Sequence, residues 1–165
     1  MTHAQEVSAG AIEVVRLLGA ADETLACAES LTAGLLSATV ASVPGASAVL
    51  RGGIVAYATE LKESVLGVPR AVLAEHGAVS EECARAMAVG VVAVCRASHG
   101  LALTGVAGPA PQEGHQPGHV CIGLAAPAGA WARTVHLPGD RPAVRIGAAE
   151  AALAWLAAYL RGEEA

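Results

Sequence analysis

Lys62 is the single lysine in a chain of 165 residues whose other cationic positions are all arginine. A lysine that sheds its proton through burial or nearby positive charge can serve as a base, whereas a guanidinium stays protonated in proteins. A serine hydroxyl needs such a base before it becomes a nucleophile. Ser30 lies in the run Glu29-Ser30-Leu31-Thr32-Ala33-Gly34, where hydroxyls sit beside small residues. Two other runs share that character: Tyr57-Ala58-Thr59, just before Lys62, and Thr104-Gly105-Val106-Ala107-Gly108-Pro109. The combination points to serine-lysine chemistry without naming a reaction. Each part also has a structural use. Ser30 and Thr32 suit helix caps, Lys62 suits a solvated surface, and clustered glycines suit a tight turn.

Other chemistries find less support. GxxxxGK[ST] is absent and GVAGPA is not a GxGxxG fingerprint, so neither a P-loop nor a dinucleotide fold is indicated. His115 and His119 are four apart, but Gly114, Pro117 and Gly118 oppose a helix there, so they read as exposed loop histidines rather than metal ligands. Cys27, Cys83, Cys95 and Cys121 form no CxxC pair and lie in apolar stretches, which suits buried, reduced thiols.

The elements that must position these residues follow from periodicity. Residues 5–18 read as an amphipathic helix stopped at Gly19, with Val7, Ile12, Val15, Leu17 and Leu18 as its apolar positions. TLACA, residues 24–28, reads as a strand that runs through Glu29-Ser30 into a helical TAGLLSATVASV. The same strand-and-turn grammar recurs at GGIVAYA, residues 52–58, followed by a short helix over 59–66, and at LALTGVAGP, residues 101–109. Ser80 opens a helix over 80–97 with Cys83, Met87, Val91 and Val94 at helical spacing. HVCIGLAA (119–126) and WARTVHL (131–137) form a hairpin, and a last helix over 141–161 aligns Val144, Ala148, Ala152, Trp155 and Tyr159. Strands alternating with helices, then a hairpin, predict an α/β three-layer sandwich with a mixed central sheet. In such sheets the loops leaving the carboxyl ends of strands form the ligand crevice, so the three hydroxyl-bearing runs converge if their strands are neighbours.

Composition bounds the rest. The length suits one domain over residues 1–165, and 54% hydrophobic residues with 2% aromatics and no Phe demand a core packed from small side chains. A formal net charge of -5 opposes a nucleic-acid surface. No uninterrupted apolar run approaches the roughly 20 residues of a membrane span. His3 and Glu6 stand where a secretory signal would be basic and then apolar, so a cytoplasmic protein is expected.

The runs AESLTAG, RGGIVAYATELK, LGV, HGAVSEE, TGVAGP, PGHV and PGDRPAVR, in this order and at these spacings, resemble the CinA carboxy-terminal-domain family. Stand-alone members of that family are nicotinamide-nucleotide amidohydrolases of the PncC type. The resemblance extends from about residue 5 to residue 160. It implies hydrolysis of the carboxamide of nicotinamide mononucleotide to nicotinate mononucleotide and ammonia, a step of pyridine-nucleotide salvage. It also implies Ser30 as nucleophile and Lys62 as base, with Tyr57 as the third catalytic residue. Glu29, Thr32, Gly34, Thr104, Gly105 and Gly108 would contact the substrate, whose phosphate would meet Arg141, Arg145 or Arg51. Backbone amides of the turn from Ser30 to Gly34 would hold the oxyanion. No metal or organic cofactor is implied, no nucleic acid or membrane partner is expected, and a homodimer or higher homo-oligomer is. This chain departs from the family pattern at Ala33 in place of a Gly, at Ala58-Thr59 in place of Ser-Asn, and at Ala110-Pro111-Gln112 in place of Asp-Gly-Gly. A non-catalytic nucleotide- or partner-binding module of the same fold is the alternative; Ala58 and Ala110 favour it, while Ser30, Tyr57 and Lys62 together favour the enzyme.

Overall fold

Successive side chains of a strand point to opposite faces, and in Leu25–Glu29 that alternation sorts two kinds of packing. Leu25 and Cys27 join one core cluster, whereas Ala26 and Ala28 join another. The computed structural model, which describes residues 7–163, shows this strand as β1 of a five-stranded sheet. In chain order the elements are α1 (Ala9–Ala21), β1 (Leu25–Glu29), α2 (Leu35–Ala41), β2 (Leu50–Val55), α3 (Thr59–Ser64), α4 (Arg70–His76), α5 (Glu81–Cys95), β3 (His99–Gly105), β4 (His119–Ala126), β5 (Gly129–His136) and α6 (Arg141–Leu160). A short 3-10 turn, Ala46–Ala48, precedes β2.

The sheet order is β2-β1-β3-β4-β5. β1 pairs in parallel with β2 and β3, and β4 and β5 run antiparallel. One face packs against α1, α2 and α6 through Leu25, Leu101, Leu103, Ile122 and Leu124. The other packs against α5 and the segment after α3 through Ala26, Ala28 and Ala102. The predicted three-layer α/β sandwich with a mixed sheet is therefore the observed one.

The second face is built for close approach. A Cβ on Gly123 of β4 would collide with the Ala84 carbonyl of α5, and one on Gly100 of β3 would stand 2.5 Å from the Ala88 carbonyl. Glycines and alanines thus let the α5 backbone lie almost on the sheet, which is how a core without Phe reaches interior density. Ser80 caps α5 by accepting the Cys83 amide (3.1 Å).

Several boundaries and faces differ from the sequence reading. α1 runs through Gly19 and ends at Asp22, whose left-handed φ of 55° lets its amide reach the Leu18 and Gly19 carbonyls. Residues 5 and 6 of that expected helix lie outside the described residues. Ile12 and Val94 are exposed because each falls just off its helix's buried stripe. α2 starts at Leu35, later than expected, because Ala33 and Gly34 both take positive φ. α4 was not anticipated, since its seven residues bury no side chain fully and so leave no periodic signal. No helix follows β3; the chain loops and returns as β4. α6 is long and apolar enough by length and composition to cross a membrane, yet Ala148, Ala152, Leu153 and Leu156 are buried in the core.

The carbonyl of Leu66, just beyond α3, meets α5 at Gly90, where a Cβ would overlap it. Gly90→Ala should therefore lower stability by about 1–3 kcal/mol, the usual cost of overpacking, despite alanine's better helix propensity. Urea unfolding measures this, and an unchanged midpoint would show that the contact has slack.

Candidate active site

Because β2, β1 and β3 are parallel neighbours, their carboxyl ends stand side by side and the three hydroxyl-bearing loops meet in one cleft. Ser30, Tyr57, Lys62, Thr104, Gly105, Gly108 and Arg141 all line it. The predicted convergence of these loops is thus observed.

Lys62 owes its position to the brevity of the link between β2 and α3. α3 begins at Thr59, so its last turn carries Lys62 back over the strand end, where the side chain is 1% exposed. The ammonium nitrogen donates to Ser30 Oγ (3.0 Å) and to the carbonyls of Ala56 (2.8 Å) and Tyr57 (3.3 Å). Burial pushes this amine below the ordinary lysine range; Cys83, Glu113 and Glu60 pull the other way. Burial also pushes the Cys83 thiol up to about 11, so it stays protonated beside the lysine. Half-buried Ser30 is fixed by its own amide, which donates to the Leu103 carbonyl of β3 (2.9 Å).

The turn behind Ser30 is held from two sides. Glu29 is fully buried, and its carboxylate accepts from the Leu36 amide (2.7 Å), the Ser37 amide (3.0 Å) and the Ser37 hydroxyl (2.6 Å). Acceptors at the first turn of a helix satisfy amides that have no intrahelical partner. Arg145 of α6 donates to the carbonyls of Leu31 (2.9 Å) and Thr32 (2.7 Å). Glu29 and Arg145 were both expected to touch substrate; instead they anchor the turn, and neither lines the cleft. Thr32 is buried with its hydroxyl unpartnered among the described residues, and Gly34 serves as the cap of α2 at φ +100°, so these two also stand behind the site.

Arg51 corrects the sequence reading most plainly. It sits at the start of β2, whereas the cleft lies at the far ends of the parallel strands, and it donates to the Cys95 carbonyl (3.2 Å). Arg141 does reach the cleft: it donates to the Gly108 carbonyl (2.7 Å) and to the Tyr57 hydroxyl (3.0 Å). The Tyr57 phenol is 55% exposed and lies on Arg141, while its carbonyl serves Lys62. Thr104 is buried with its hydroxyl donated to the Ala78 carbonyl (2.7 Å), and Gly105 lets β3 approach β4 without a side chain in between.

Thr59, from one of the three expected runs, and Gln112 also line the cleft; the sequence reading missed Ala78 and Val79, which complete its wall, and Glu113, whose carboxylate accepts the Ala78 and Val79 amides. Small apolar residues such as Ala78 and Val79 carry no chemical signal, and only the preceding Gly77 and the following Ser80 cap marked their segment as a loop. His115 and His119 are half-buried rather than exposed: their rings stack at 4.0 Å, and His119 Nδ1 lies 3.3 Å from His136 Nε2. Among the described residues no group of three or more His, Cys, Asp or Glu side chains is placed to hold a metal ion.

Comparison with known proteins agrees with this architecture. A family model described as the CinA C-terminal domain matches residues 8–160. A CinA-like protein of Frankia casuarinae is 53% identical over 149 residues, 90% of this chain and 34% of that protein. A CinA-like protein of Anaeromyxobacter sp. is 50% identical over the same share of this chain and 36% of its own length. The chain thus spans about a third of these relatives. Among solved structures, a competence-damaged protein (CinA) superfamily member from Klebsiella pneumoniae superposes with a TM-score of 0.91 at 31% identity, covering 96% of this chain and 99% of that one. A competence/damage inducible protein from Agrobacterium tumefaciens superposes at 0.88 with 28% identity, covering 98% and 99%. With the family model spanning almost every described residue and the same mixed sheet in its structural neighbours, the chain belongs to the CinA C-terminal-domain family.

Proposed function

We propose that this chain is an amidohydrolase that deamidates nicotinamide mononucleotide, with Ser30 as nucleophile and Lys62 as general base. The carrying observation is the set of three oxygens around Lys62 Nζ. A neutral amine has two hydrogens and one lone pair. The carbonyls of Ala56 and Tyr57 take the two hydrogens, which leaves the lone pair for the Ser30 hydroxyl. Burial favours that neutral form.

The chemistry then balances simply. Ser30 Oγ bonds to the carboxamide carbon as its proton passes to Lys62, and the oxyanion rests on amides of the Ser30–Gly34 turn. The amides of Ser30 and Ala33 are already engaged, with Leu103 and Ser30 carbonyls, and Thr32 and Gly34 stand behind the cleft, so the Leu31 amide serves. Collapse breaks the carbon–nitrogen bond, Lys62 returns the proton, and ammonia leaves. Water, deprotonated by the same amine, hydrolyses the ester and regenerates Ser30. The substrate class rests on the family resemblance of the AESLTAG and RGGIVAYATELK runs, and Arg141 offers the guanidinium for its phosphate.

Three outcomes test this. Lys62→Arg keeps the charge but cannot accept a proton, so ammonia release should fall by ~10² or more, and Ser30→Ala should fall comparably. The double variant should be little worse than either, because the pair acts as one unit. A folded Lys62→Arg protein keeping more than about half the parental rate would sink the base role; Lys62→Met, with circular dichroism, guards against a mere folding failure. A parent that binds nicotinamide mononucleotide without releasing ammonia would instead identify a binding module.

In the parent, kcat/KM should rise with pH as the Lys62 amine loses its proton and level off above that point. Because burial lowers its pKa, the rise should end below the ordinary lysine range. A flat profile would contradict the assignment. Finally, Arg141→Gln should raise KM for nicotinamide mononucleotide by about tenfold and leave that for the nucleoside little changed, since the lost interaction is charge-assisted and phosphate-directed.

A further inference from the structure

The cleft wall formed by Ala78 and Val79 is part of the link between α4 and α5. Its Ala78 carbonyl accepts the Thr104 hydroxyl, and its two successive amides donate to one carboxylate: Ala78 to Glu113 Oε1 (3.3 Å) and Val79 to Glu113 Oε2 (2.9 Å). Glu113 belongs to the β3–β4 loop, immediately after Pro109, Ala110, Pro111 and Gln112, which line the cleft themselves. It thus joins two walls that are remote in sequence.

Three features of the chain accommodate that single contact. Glu113 takes φ +51°, a left-handed conformation unfavourable to a non-glycine residue. The turn around it is closed by reciprocal backbone bonds between Gln112 and His115 (3.1 and 2.9 Å). Gly77 leaves room for the carboxylate, since a Cβ there would stand 2.6 Å from Glu113 Oε2. An exposed glutamate with no other partner in the fold would not need this arrangement. Carboxylate bonds to paired backbone amides are charge-assisted and directional, which suits a clamp.

We propose that Glu113 is a positioning residue: its carboxylate ties the Pro109–Gln112 loop to the Ala78–Val79 segment and so fixes the shape of the cleft around Ser30 and Lys62. The functional half of this inference rests on the amidohydrolase reading; the clamp itself does not. Its charge has a second effect on the same site. The groups that act on the Lys62 amine are the carboxylates of Glu60 from α3 and Glu113 from the loop, which favour the protonated form against burial, and Cys83 from α5, which does so only once its thiol ionises, at about 11. Neutralising Glu113 removes one of the two carboxylates, so the amine should lose its proton at lower pH.

The test uses the full chain with Glu113→Ala and Glu113→Gln. Amide hydrogen exchange at Ala78 and Val79, read by NMR, should quicken by about tenfold or more in Glu113→Ala. In ammonia release from nicotinamide mononucleotide, kcat/KM should fall by about tenfold, chiefly through KM, because a misplaced wall weakens binding. The acid limb of the Glu113→Gln pH profile should move to lower pH, which a purely structural glutamate would not produce. Unchanged exchange at both amides would overturn the clamp. Faster exchange with parental kcat/KM and an unmoved limb would overturn its role in the site. Should the parent release no ammonia, the amidohydrolase reading fails alone; amide exchange still decides the clamp, and affinity for nicotinamide mononucleotide decides its role in the cleft, which a Glu113→Ala variant binding as tightly as the parent would overturn.

Discussion

A single buried amine sets the terms for this molecule. Lys62 lies almost entirely out of water, with two backbone carbonyls and one hydroxyl as its polar neighbours and no carboxylate bonded to it. An unpaired ammonium in such a place is costly, so the surroundings favour the neutral form. That preference needs the end of β2, the first turns of α3 and the turn after β1 to be held within hydrogen-bonding distance of one another. Much of the remaining structure serves that end.

The holding is done by small residues and by groups that never face the cleft. Alanine and glycine on one side of the sheet bring α5 down onto the strands, and Gly90 brings it against the Leu66 carbonyl just past the lysine's helix. On the other side, Glu29 grips the first turn of α2 while Arg145 grips the carbonyls of Leu31 and Thr32. Arg141 and Arg145 are four apart on α6, hence on one face, and they divide the labour. The first reaches the rim at Gly108 and Tyr57, and the second reaches the turn that follows Ser30, one helical turn further along. Neighbours that look alike in sequence thus do different work because a helix advances about 5.4 Å per turn between them.

Much of this was legible from residue types and order. The lone lysine among arginines, the serine at a strand end and the strand-turn-helix grammar bring Ser30 and Lys62 into one site if their strands are parallel neighbours, since such strands bring their carboxyl ends together. The small apolar composition announced a closely packed core, and Ser80 announced the start of α5. These signals are local or periodic, and a sequence carries them directly.

What the sequence could not assign was direction and partner. Glu29, Arg145 and Arg51 are polar residues within or near the motifs, and only the tertiary structure decided that the first two brace the turn and the third stands at the wrong end of its strand. Ala78 and Val79 line the cleft although their small apolar side chains carry no chemical signal in the sequence. Glu113 lay in a loop whose composition suggested only a turn. Its part depends on meeting a segment 35 residues away. By itself, then, the sequence determined the order of elements apart from α4, the mixed sheet and the candidacy of Ser30 and Lys62. The tertiary structure decided which polar groups face the cleft and which support it. Hydrogen bonds act over about 3 Å between groups far apart in the chain, and periodicity carries no information at that range.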